Sequence, residues 1–99
     1  MDGGGSPVGV AGTLERYDAL VEIRELNPET GGEENKLVIE SPIRELFAAL
    51  QDRAVKSVFE ELSIRGAVIT VQDNNALDFV LRARTAAAAE KLRAQGGRI

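Results

Sequence analysis

Residues 67–71 read Ala-Val-Ile-Thr-Val, a nearly continuous apolar, β-branched run with little of the alternation that a half-solvated strand shows. Such a strand belongs in the middle of a sheet, so the rest of the chain must supply neighbours for its two edges and a cover for its face. With 99 residues in total, the chain forms one domain at most, with room for a single core but not for a core and a deep substrate cleft.

The neighbours are legible upstream. Residues 8–26 read as a hairpin, with one strand over 9–14 and the other over 19–24. In the second strand Tyr17, Ala19, Val21 and Ile23 share one face, and Asp18, Glu22 and Arg24 lie opposite. The turn is centred on Glu15, Arg16, Tyr17 and Asp18. Residues 27–35 have the composition of an exposed loop, and residues 36–40 form a third short strand.

The cover comes from two helical segments. Ser41-Pro42 starts the first, with Ser as cap and Pro where an unpartnered N–H is no loss. Ile43, Leu46, Phe47, Leu50, Ala54, Val55, Val58 and Leu62 follow at spacings of three and four, and Gly66 marks the end. The second helix opens after Asp73, with Asn75 as its cap and Asp78 three residues on, and its stripe is Leu77, Val80, Leu81, Ala88 and Leu92. Leu50 and Leu77 are expected in the core, where truncation to Ala costs on the order of 2 to 5 kcal/mol. The predicted architecture is a single small α+β domain, β-β-β-α-β-α, an open sheet with two helices on one face. Residues 1–7 and 96–99, rich in glycine, read as flexible tails around a domain of residues 8–95.

Composition removes most catalytic chemistry. There is no Cys, His or Trp, which excludes thiolate and imidazole catalysis, zinc fingers and disulfides, and leaves no metal site to expect. Glu33-Glu34 and Glu60-Glu61 read as solvated surface, since neighbours on a helix point about 100 degrees apart. The net charge of −4 divides into −6 over residues 1–41 and +2 over residues 42–99, with no basic patch for nucleic acid. No apolar run is long enough to span a bilayer and the start has no signal-peptide layout, so a cytoplasmic protein is expected. Gly9-Val10-Ala11-Gly12 resembles a phosphate loop only weakly, because it precedes a strand, and hairpin geometry is the better account.

Two residues of the second helix stand out. Arg84 falls inside the apolar stripe, where its head either reaches water along a buried stem or pairs with an acid of the hairpin or of a partner. Phe79 lies on the other side, either covered by the hairpin or exposed as an anchor.

Val-Ala-Gly-Thr-Leu-Glu at 10–15 followed by Asp18, then Ile-Arg-Gly at 64–66, Val-Gln-Asp at 71–73 and Asn-Ala-Leu-Asp-Phe-Val-Leu-Arg-Ala-Arg at 75–84 succeed one another along the chain. In this order and spacing they resemble the acyl carrier (gamma) subunit of citrate lyase, over about residues 8–92. The delta subunit of malonate decarboxylase is a related carrier, and the C-terminal segment here is more similar to the citrate lyase version.

The resemblance implies a non-catalytic carrier subunit that works with lyase and transferase subunits and is loaded by a prosthetic-group transferase. In that family a serine on the turn, directly after Ala-Gly-Thr-Leu-Glu, carries phosphoribosyl-dephospho-coenzyme A, whose thiol holds acetyl and citryl groups. Here the matching position is Arg16, which offers no oxygen for the phosphodiester; Tyr17 and Ser6 carry hydroxyls but do not match the motif. Glu15, Asp18, Phe79, Arg82 and Arg84 are candidates for a partner surface. The rival reading is an interaction module, structural or regulatory, that kept the carrier surface and lost the arm.

Overall fold

A computed structural model describes residues 6–26 and 32–99, so most of the 27–35 segment read as an exposed loop lies outside the described residues. The elements are β1 (Val8–Ala11), β2 (Ala19–Glu25), β3 (Lys36–Glu40), α1 (Arg44–Glu61), β4 (Ala67–Asp73) and α2 (Asp78–Ala94). They form one four-stranded sheet in the order β1-β2-β4-β3. The run at 67–71 does lie inside the sheet, antiparallel to β2 on one side and parallel to β3 on the other. A parallel β3–β4 pair needs a crossover, and α1 is that crossover.

Side chains alternate as the pleat requires. Ala19, Val21 and Ile23 of β2 and Ala67, Ile69 and Val71 of β4 are fully buried, and with Val55, Val58, Leu81, Ala88 and Leu92 of the helices they make the single core. Leu20, Glu22, Arg24 and Val38 point to the uncovered face. Both helices therefore cover one side of an open sheet, as the pattern predicts.

Gly9 shows why β1 carries glycine. A Cβ there would stand 1.9 Å from the carbonyl oxygen of Ala88, so α2 crosses β1 at backbone contact. Gly12 has φ of 93° and would meet Ala19 O at 1.8 Å, which ends β1 at Ala11 instead of letting it run to residue 14.

The helices begin later than expected, and the core is placed differently. Ser41 Oγ accepts from Ile43 N at 3.2 Å, but Ile43 is the N-cap and Phe47 breaks the first turns with φ −122° and ψ 17°. The buried face of α1 starts only at Gln51, Ala54 and Val55. Leu50 is consequently 52 % exposed and Leu77 62 % exposed, which overturns the expectation that both are core residues. Both instead line, with Phe47 and Leu81, a cleft between the starts of the two helices that leaves them exposed.

Asn75 is not the cap of α2 either. Its φ of 64° is left-handed, whereas a cap needs extended backbone; Leu77 takes that place without a side-chain bond. Asp73 does the capping of this segment, accepting from Asn75 N at 3.2 Å and Ala76 N at 2.9 Å. At the other end, α1 stops at Glu61 and Gly66 (φ 66°) turns the chain into β4. Beyond α2, Gly97 N bonds to Leu92 O at 2.9 Å, Arg93 donates to Ile99 O at 2.9 Å, and Ile99 packs on the core.

Candidate functional site

The hairpin turn is held from three directions. Asp18 N donates to Glu15 O at 3.1 Å, closing a four-residue turn with Arg16 and Tyr17 at its centre. Tyr17 has φ of 67° and Arg16 does not have positive φ, the pattern of a type II turn. A left-handed tyrosine costs roughly 1 to 2 kcal/mol. The cost is offset by a bond from Tyr17 N to Asn74 O at 2.7 Å, returned by Asn74 N to Asp18 O at 2.9 Å. Asn74 Nδ2 also donates to Leu14 O at 3.1 Å. The turn thus rests on the loop between β4 and α2.

Asp18 is the junction. Its carboxylate accepts from Thr13 Oγ1 at 2.8 Å and from Ala19 N at 2.7 Å. Arg84 adds a two-pronged pair, Nε to Oδ1 at 2.9 Å and Nη2 to Oδ2 at 3.2 Å. The Arg84 hydrogen bond is the chief reason that the Asp18 carboxyl lies at about 2, below its ordinary 3.8, against an opposing effect of burial. Arg84 is pushed up in turn by its bond to Asp18. Of the alternatives open for Arg84 in the sequence, the structure has the ion pair with an acid of the hairpin. Its Cδ also lies 3.1 Å from where a Gly12 Cβ would be, so the stem seals the base of the turn.

Residues 13–17 at the tip are exposed. Arg16 stands at the corner, its guanidinium 5.9 Å from the centroid of the Tyr17 ring, and among the described residues it makes no ion pair. Glu15 uses only its backbone here, donating to Thr13 Oγ1 and accepting from Asp18 N. Arg82 pairs with Asp78 one turn away at 3.0 Å, and Phe79 is 60 % exposed, not covered by the hairpin. Asp18, Arg84, Glu15 and Arg16 therefore form one cluster, while Phe79 and Arg82 lie along α2 outside the ion pair.

Sequence reasoning missed the support behind the turn. Asp73 is buried and also accepts from Ser41 Oγ at 2.7 Å and Gln51 Nε2 at 3.2 Å, and Arg44 donates to Gln51 Oε1 at 3.2 Å. This network ties the start of α1 to the loop carrying Asn74. The signal was the run Asp73-Asn74-Asn75, read as a helix cap when its first two members do the bonding. Beyond the same loop, Phe47, Leu50, Ala76, Leu77 and Leu81 line an apolar cleft of about 330 Å³.

These features define a class: a small α+β domain that displays one corner residue on a rigid turn. The acyl carrier family model described as malonate decarboxylase delta subunit (MdcD) matches residues 8–92. The citrate lyase acyl carrier protein of Vibrio cholerae serotype O1 (strain M66-2) is 38 % identical over 78 residues, 79 % of this chain and 76 % of that one. Citrate lyase acyl carrier protein 2 of Salmonella typhimurium is 35 % identical over 80 residues, 81 % and 78 % of the two chains. The protein of the same name, without the number, from Fusobacterium nucleatum is 37 % identical over 81 residues, 82 % of each. The chain belongs to this family of acyl carrier proteins of citrate lyase and malonate decarboxylase.

Proposed function

We propose that the chain is a carrier-type subunit of a citrate lyase complex, seated by its turn face in the lyase and transferase subunits and carrying no arm at position 16. The carrying observation is that every contact that displays the turn is in place while the displayed side chain is Arg16. The family's phosphoribosyl-dephospho-coenzyme A does not fit there, because a protonated guanidinium has no lone pair to bond to phosphorus. Tyr17 and Ser6 lie outside the matching position. Glu15, Asp18, Phe79, Arg82 and Arg84 are the proposed partner surface, with Asp18 and Arg84 acting by positioning the turn. A cytoplasmic domain of residues 8–95 is part of the same reading.

The absence of a hydroxyl at position 16 favours a second reading, in which the chain is a structural or regulatory module of such a complex. One experiment bears on both. Arg16→Ser and the parent protein are incubated with a family prosthetic-group transferase and activated cofactor precursor, and intact masses are read. The Ser form should gain the cofactor mass and the parent should not. Modification of the parent would reveal another attachment residue and defeat the unloaded reading. Failure of the folded Ser form would mean that the docking surface has diverged, leaving the module reading.

A further inference from the structure

The two edges of the sheet differ. At β1, Lys91 Nζ donates to Val10 O at 3.0 Å and Gln95 Nε2 to Val8 O at 2.8 Å, so side chains of α2 occupy acceptors of that edge strand. At β3, β4 takes one side, and among the described residues nothing bonds to the other. An open edge is a template for another strand, and proteins guard against this with proline, bulges or repelling charge. β3 has no proline or bulge, and its two charged residues, Lys36 and Glu40, are of opposite sign, so they can pair with a second such strand as well as repel one.

We propose that β3 pairs with β3 of a second copy, antiparallel about Val38, to make a homodimer with one continuous sheet. In that register Lys36 of each copy faces Glu40 of the other, Leu37 faces Ile39, and Val38 faces itself. Both charge pairs attract, and each half-exposed Val38, 54 % exposed in the single chain, covers its counterpart on the open face. A parallel register would set Lys36 against Lys36 and Glu40 against Glu40, so charge selects the two-fold arrangement. The geometry also keeps the site free. Glu40 pairs with Gln72, and Ala19 pairs with Asp73, so Glu40 lies at the turn end of the sheet. A two-fold axis through Val38 sends the two Arg16 turns to opposite ends of the joint sheet, each accessible to a partner.

The test is sedimentation equilibrium of the full chain over a concentration series, and it does not depend on loading at position 16. The parent should approach twice 10.6 kDa as concentration rises. Lys36→Glu puts like charges together at two places and should raise the dimer dissociation constant roughly tenfold. Adding Glu40→Lys to it restores opposite charges in the same register and should return the constant to the parent value. A parent that stays monomeric throughout overturns the proposal, and so does a Lys36→Glu variant that associates as well as the parent or a double variant that is not rescued. A monomeric parent that binds a citrate lyase subunit, and loses that binding on Lys36→Glu, would give the edge to a foreign strand and likewise overturn self-pairing.

Discussion

At the scale of the residue, the most informative side chain is Arg84. A cation in the middle of an apolar stripe has to find an acid or water, and the hairpin places Asp18 within two hydrogen bonds of it. Because the folded carboxyl titrates near 2 and the ordinary value is 3.8, the pair's contribution to stability is complete above about pH 4 and disappears as pH falls through 2. Replacing Arg84 by Met removes the main cause of the lowering while keeping a long apolar stem. NMR titration should then find Asp18 close to 3.8, with residues 13–18 exchanging faster. An unmoved pKa would show that Thr13 and the Ala19 amide suffice. Helical phase placed Arg84 in the stripe but left open whether it reaches water or an acid, and it did not single out Asp18; the roles of Gln51 and Thr85 were not legible at all. Thr85 is wholly buried because its Oγ1 donates to Leu81 O at 2.8 Å, a local bond that hides polarity inside an apolar stripe.

At the scale of the element, strand identities followed from period-2 patterns and β4 was placed centrally by its lack of alternation. Helical stripes were less faithful, because periodicity tells which face is apolar and not whether a neighbouring element covers it. Leu50 and Leu77 line an exposed cleft between the starts of the helices instead. Truncation of Leu50 to Ala should therefore change stability by no more than about 1 kcal/mol, whereas Leu92→Ala, at a fully buried site, should cost about 2 to 5 kcal/mol. Urea midpoints of the two variants make the comparison. The contact between β1 and α2 gives a sharper case. Gly9→Ala sets a methyl against the Ala88 carbonyl, which is backbone and cannot rotate away, so a loss of about 1 to 3 kcal/mol is expected. A Gly9→Ala midpoint equal to the parent's would mean that α2 is free to shift off β1.

At the scale of the whole molecule, display and loading are separable properties. Display belongs to the fold: the turn is braced by Arg84 from α2, by Asn74 from the loop after β4, and through Asp73 by the start of α1, so each cover element contributes to where residue 16 stands. Loading, on the proposed function, depends on a hydroxyl at position 16; separately, no helix among the described residues is long and apolar enough to cross a membrane. On the proposed function, a chain with the display surface intact and the corner blocked should occupy the carrier seat without turning over. When parent protein is mixed with loaded family carrier before assembly with lyase and transferase subunits, a tenfold excess of parent should lower citrate cleavage about tenfold if the two dock equally. Arg16→Ser, once loaded, should abolish that inhibition and support cleavage itself. Arg84→Met should inhibit less than the parent while remaining folded, because the turn is no longer held at its docking position. If the parent left the rate unchanged at every excess, it would not occupy the carrier seat, and the proposed docking of the turn face would be overturned.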